Sequence, residues 1–127
     1  MAKAKILIVD DDQDIRRLLG HRLKAENYET VFASDAITAV NMARKEEPDL
    51  VLLDLGLPAG DGYVVMERLR AMPALEGIPV IIVTARDVQV EQQTASLAGA
   101  DAIFQKPFNH LRLLDAIRNA LGGPSAG

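Results

Sequence analysis

An open, doubly wound α/β domain, with five parallel strands in one sheet and helices on both faces, is the fold this sequence predicts. Three observations predict it. Short apolar runs alternate with helix-period segments of about 10 to 14 residues, as repeated βα units require. Two of the runs, LVLL (50–53) and VIIV (80–83), are apolar without a break, the pattern of strands covered on both faces. The chain has 127 residues, 49% hydrophobic and 25% charged, which suits one domain around one core.

The elements follow in order. KILIV, Lys5–Val9, is the first strand, and a helix over about residues 13–26 follows with Ile15, Leu18, Leu19 and Leu23 as its apolar stripe. YETVF (28–32) is the second strand. Ser34 is expected to cap the next helix, which turns Ala36, Ile37, Val40 and Ala43 inward, leaves Arg44 and Lys45 to solvent and stops before Pro48. LVLLD (50–54) is the third strand, central in the sheet. LGLPAGDG reads as a loop, and Val65, Met66 and Leu69 mark a helix ending near Met72, ahead of Pro73. PVIIVT (79–84) is the fourth strand. A helix over about 88–98 stops at Gly99, and AIF (102–104) is a short fifth strand. The last helix, about 109–121, directs Leu111, Leu114, Ile117 and Leu121 to the sheet. Residues 1–121 thus make the domain, while GGPSAG (122–127) has the composition of a flexible tail or the start of a linker. Right-handed crossovers are expected, and no GxGxxG follows the first strand to suggest a dinucleotide site.

Composition excludes several functions. With 14 Lys and Arg against 18 Asp and Glu the net charge is −4, which disfavours direct nucleic-acid binding through phosphate neutralisation. The absence of cysteine removes disulfides and thiolate metal sites. MAKAKILIVDDD lacks the apolar core of a signal peptide, and no segment approaches the roughly 20 apolar residues of a membrane span. A cytoplasmic protein without membrane contact is expected.

In open sheets, ligands bind beyond the carboxyl ends of the strands. There the first strand ends in Asp10, Asp11 and Asp12, the third in Asp54 and the fourth in Thr84, while the fifth leads to Lys106 and Pro107. Carboxylates gathered at one edge repel unless a cation lies among them, and an all-oxygen donor set with neither histidine near points to Mg²⁺ or a similar ion. With the hydroxyl of Thr84 and the charge of Lys106, the set suits an incoming phosphoryl group. Each residue also has a plainer role. Asp10 to Asp12 are suitable helix caps, Asp54 a turn former, Thr84 an ordinary strand residue, Lys106 a solvated surface lysine, and His21 and His110 surface residues on helices. The coincidence of four features at one edge separates the two accounts.

Together, ILIVDDDQDIR, LVLLDLGLPAGDG, IIVTA and QKPF resemble the receiver domain of two-component response regulators, over nearly the whole chain. The resemblance implies a flavodoxin-like fold with strand order 2-1-3-4-5. It implies that Asp54 is the phosphoacceptor, that Asp10 and Asp11 organise Mg²⁺ with Asp11 a direct ligand, and that the Gly56 carbonyl completes the protein's ligands. Thr84 would bind the phosphoryl group, Lys106 would pair with it, Pro107 would follow a cis peptide bond, and Ala85 would leave room for entry. The implied partners are a sensor histidine kinase or phosphotransfer protein, a downstream protein or output domain and, on phosphorylation, a second copy of the chain. The implied role is a phosphorylated switch acting through the face of the fourth helix, fifth strand and fifth helix, not a multiple-turnover enzyme. The family commonly places an aromatic residue three positions before the lysine; here Ile103 stands there, with Phe104 one place later. The alternatives are a phosphohydrolase resembling the haloacid dehalogenase family, which usually has a second aspartate where this chain has Gly56, and a receiver-like module that binds without phosphate.

Overall fold

A computed structural model describes residues 3–122; residues 123–127, where most of the expected tail falls, lie outside the described residues. The order is β1 (Lys5–Val9), α1 (Gln13–Ala25), β2 (Glu29–Ala33), α2 (Ala36–Glu46), β3 (Leu50–Leu53), α3 (Gly62–Ala71), β4 (Val80–Thr84), α4 (Val88–Leu97), β5 (Ala102–Gln105) and α5 (His110–Ala120). The strands form one parallel sheet in the order β2-β1-β3-β4-β5, as the resemblance implies.

Strand alternation builds a core on each face. Leu7, Val9, Val51, Leu53, Val80 and Ile82 pack with Ala39, Val40 and Ala43 of α2, Val65, Met66 and Leu69 of α3, and Ala95 of α4. On the opposite face Ile6, Ile8, Leu50, Leu52, Ile81 and Val83 pack with Leu19 and Leu23 of α1 and Leu113, Leu114 and Ile117 of α5. The domain is therefore doubly wound, and its three central strands are the buried ones.

Three stripe residues fall outside these cores. Leu18 is 40% exposed, Ile37 57% and Leu111 69%, while Gly20, Ala39 and Leu113 are buried. At 3.6 residues per turn, Ile37 and Leu111 lie roughly 110°, and Leu18 roughly 150°, around their helices from the centre of the buried residues. Cap chemistry corrects two boundaries. Asp35, not Ser34, caps α2, accepting from the Thr38 N–H at 2.7 Å. Asp61 caps α3, so that helix begins at Gly62 inside the expected loop. Gly99 follows α4 with φ +94°, a conformation that favours glycine.

Gly62 is fixed by contact. A Cβ there would lie 2.5 Å from the Asp54 carbonyl oxygen and 2.9 Å from Leu55 Cα, both backbone atoms that cannot swing away. We expect Gly62→Ala to lower stability by about 1–3 kcal/mol despite alanine's better helix propensity. Leu113→Ala should cost about 2–5 kcal/mol and Leu111→Ala no more than about 0.5 kcal/mol. Urea denaturation checks all three, and equal losses at 111 and 113 would contradict the packing described.

Candidate functional site

Sheet register gathers the predicted residues. Val9 pairs with Leu53, so Asp10 and Asp54 leave β1 and β3 side by side, and the Asp54 N–H donates to the Val9 carbonyl at 2.9 Å. Thr84 pairs with Gln105, and the Lys106 N–H donates to the Thr84 carbonyl at 2.8 Å, which turns the loop after β5 toward the same edge. The Lys106–Pro107 peptide bond is cis.

The β1–α1 loop is held at both ends. Asp12 caps α1 by accepting from the Asp14 and Ile15 N–H groups, while its own N–H donates to Asp10 Oδ1 at 2.9 Å. The Asp10 N–H donates to the Ala33 carbonyl at 3.1 Å, and Arg16 Nη1 donates to the Asp10 carbonyl at 2.7 Å. Asp10 is thereby fixed and buried; Asp11, beside it, is exposed.

Lys106 is not a solvated lysine. Its side chain is 17% exposed, and Nζ donates to Asp10 Oδ2 at 2.7 Å and Asp54 Oδ2 at 3.2 Å. The other Asp54 oxygen accepts the Gly56 N–H at 3.2 Å. Burial pushes the Asp10 carboxyl above its ordinary range, more than the Lys106 hydrogen bond pulls it down. For Lys106, burial lowers the ammonium's pKa, but the hydrogen bonds and charges of Asp10 and Asp54 outweigh it, and the net shift is upward. Both partners of one ion pair thus move upward for different reasons, Asp10 because of its burial and Lys106 because of its acidic neighbours.

One carboxylate oxygen from each of Asp10, Asp11 and Asp54 lies within 4.8 Å of the others. Three carboxylates facing one ammonium leave an excess of negative charge, and hard oxygens at this spacing fit a hard divalent cation. Thr84 is 1% exposed at the same edge, without a hydrogen bond to Asp54 among the described residues; its Oγ1 accepts the Arg86 N–H at 3.1 Å. Ala85 and Gly56 are exposed at the mouth, and a Cβ on Gly56 would meet nothing within 4 Å. His21 and His110 sit on α1 and α5 outside the acidic cluster.

Sequence reasoning missed Arg16 and Gly62. Each left a signal: an arginine in the first turn of α1, where the helix dipole disfavours a cation, and a glycine opening α3. Both are explained by contacts with the backbone of Asp10 and Asp54.

Comparison with known proteins agrees with this geometry. The response regulator receiver domain model matches residues 6–118. Sporulation initiation phosphotransferase F of Bacillus subtilis is 39% identical over 122 residues, 95% of this chain and 96% of that protein. Transcriptional regulatory protein YxdJ of the same organism is 37% identical over 92% of this chain but only 50% of its own length. The chain likewise spans 26% of the response regulator PleD of Caulobacter vibrioides, so it is about half the length or less of several curated relatives. Among solved structures, a receiver domain from Methanospirillum hungatei superposes with a TM-score of 0.88 at 31% identity, covering 95% of each chain. The receiver domain of the sensor histidine kinase PA1611 from Pseudomonas aeruginosa, with a magnesium ion coordinated in its active site cleft, gives 0.87 at 28% identity over 96% of this chain and 100% of that one. On this sequence match across most of its length, joined to the sheet order and the acidic edge, the chain belongs to the response regulator receiver domain family of two-component signalling.

Proposed function

We propose that Asp54 is the phosphoacceptor and that the domain switches partner binding when it is phosphorylated. The observation that carries this reading is the Lys106 ammonium, hydrogen-bonded at once to Asp54 and Asp10 beside an exposed Asp11. A carboxylate so placed is a nucleophile with a counter-charge ready for the group it receives.

In the proposed step an Asp54 carboxylate oxygen attacks the phosphorus of a phosphohistidine on a kinase or phosphotransfer protein. The new O–P bond forms as the P–N bond breaks, and the electron pair of that bond leaves with the imidazole nitrogen. Lys106 pairs with one phosphoryl oxygen, and the Thr84 hydroxyl donates its proton to another. Ala85 keeps the approach open. Asp10, Asp11 and Asp54 with the Gly56 carbonyl would hold Mg²⁺, which when bound neutralises charge on the phosphoryl oxygens. Hydrolysis of the acyl phosphate returns the resting state, so the domain is a single-acceptor switch with no external substrate. Gly56, where the hydrolase pattern needs a second aspartate, disfavours that alternative.

The partners proposed are a histidine kinase or phosphotransfer protein upstream and an output protein or domain downstream, with dimerisation on phosphorylation as one form of output. No helix among the described residues is long and apolar enough to cross a membrane, and we place the domain in the cytoplasm, where a kinase's phosphohistidine would be met.

Incubation with Mg²⁺ and a small acyl phosphate should add one phosphoryl group by intact-mass measurement, and Asp54→Asn should add none. No gain in the parent, or an equal gain in the variant, would refute the acceptor assignment. Lys106→Met, which leaves the Asp10 and Asp54 carboxylates facing each other, should lose about 1–3 kcal/mol of stability in urea. Mg²⁺ should raise the urea midpoint of Lys106→Met more than that of the parent, because the ion replaces the missing positive charge. An equal rise in both would mean that ion and lysine do not share the acidic edge.

A further inference from the structure

A second polar cluster, on the α3–α4 side of the sheet, joins the loop that carries Asp54 to the loop that follows Thr84. Its first link is Gly62, whose backbone is pressed against that of Asp54 and whose N–H donates to the Leu55 carbonyl at 2.8 Å. The next residue, Tyr63, donates its phenol proton to Glu91 Oε1 on α4 at 2.7 Å. The Arg86 guanidinium stands between two acids, 4.0 Å from Glu91 and 3.7 Å from Asp61, the cap of α3. Arg86 closes the path with its own N–H on Thr84 Oγ1. The path runs from the Asp54 backbone to the Thr84 hydroxyl through side chains, separately from the β3–β4 ladder.

The links differ in strength. The Arg86 pairs are long and partly exposed, a type that contributes little alone. The Tyr63–Glu91 bond is short, accepted by a carboxylate and partly buried, so it is the strong link between the two helices. Burial, then the hydrogen bond and charge of Glu91, push the Tyr63 phenol up to about 12. Thr84 Oγ1 is an acceptor toward Arg86, so its own proton remains to be donated elsewhere. The Arg86 N–H, held by its loop, contacts that hydroxyl oxygen directly.

We propose that Tyr63, acting through Glu91 and Arg86, is a positioning residue for phosphoryl transfer: it holds the loop after β4, whose Arg86 N–H bonds Thr84 Oγ1, relative to the Asp54 loop so that the Thr84 hydroxyl meets the incoming group. The inference rests on the phosphoacceptor role of Asp54 and adds a residue that does not touch the reacting atoms.

The test times phosphorylation by a small acyl phosphate with Mg²⁺ in the parent, Tyr63→Phe, Glu91→Ala and Thr84→Ala, and in double variants. Tyr63→Phe keeps the ring and loses only the hydroxyl, and should slow the reaction roughly five- to tenfold, the worth of one shielded hydrogen bond. Adding Glu91→Ala should slow it no further, and Tyr63→Phe should have no effect in a Thr84→Ala background. Mn²⁺ affinity by calorimetry should be unchanged in Tyr63→Phe, since the acidic residues are untouched. An unchanged or faster rate, equal slowing without Thr84, or weakened Mn²⁺ binding overturns the proposal. If Glu91→Ala does not fold, Tyr63→Phe and the Thr84→Ala background decide the matter alone. A parent that takes no phosphoryl group on Asp54 refutes the acceptor role, and this inference with it; a phosphorylated parent with an indifferent Tyr63→Phe refutes the positioning role only.

Discussion

Lys106 reaches from the loop after β5 across two strands and donates to the carboxylates that follow β1 and β3, and the site is arranged around that bridge. Without the ammonium, Asp10 and Asp54 would face each other in a buried edge where charge repulsion is poorly screened. The bridge does not fully offset the desolvation of Asp10, whose carboxyl stays shifted toward its neutral form. Such a site lowers the stability of the fold that carries it. It therefore needs a platform that is stable for other reasons, and β1, β3 and β4, buried on both faces, supply one. The same excess of acid that disfavours the edge when alone would favour a divalent cation there.

The acidic triplet after β1 shows how neighbouring residues of one type divide their work. Asp12 is a helix cap, as the plainer account of the triplet held. Asp10 is a buried acid fixed by Ala33, Asp12, Arg16 and Lys106, and Asp11 is an exposed carboxylate beside it. The plainer account holds for Asp12, and the proposed metal role rests on Asp10 and Asp11. Each hydrogen bond that fixes Asp10 also limits how far the loop can move when charge arrives, which is the preorganisation that a transition state with spread negative charge requires.

Strands were the most legible part of the sequence, because unbroken apolar runs bounded by polar residues admit few other structures. Helix faces were less legible. Leu18, Ile37 and Leu111 are apolar and adjacent to a stripe, and only packing shows that each lies beyond its edge. Asp10, Asp54, Thr84 and Lys106 could be gathered on paper because parallel strands all end at one edge. The pairing of Lys106 with partners 96 and 52 positions away could not, since nothing local distinguishes it from a surface lysine. Arg16 and Tyr63 were missed for the same reason: their partners are a backbone carbonyl and a carboxylate on another helix, and neither leaves a periodic signal.

The displaced aromatic on β5 has a definite meaning in three dimensions. Successive strand residues point to opposite faces, so moving a side chain by one position moves it to the other layer of the domain. Ile103 packs in the layer of α2, α3 and α4, whereas Phe104 packs in the layer of α1 and α5. Phe104 is therefore no substitute for an aromatic at position 103. The layer that holds Ile103 also holds Tyr63, which reaches α4 from the α3 side instead of from β5. In this chain the polar aromatic contact to α4 thus comes from the helix that begins against Asp54, and Ile103 contributes to that layer only by apolar packing.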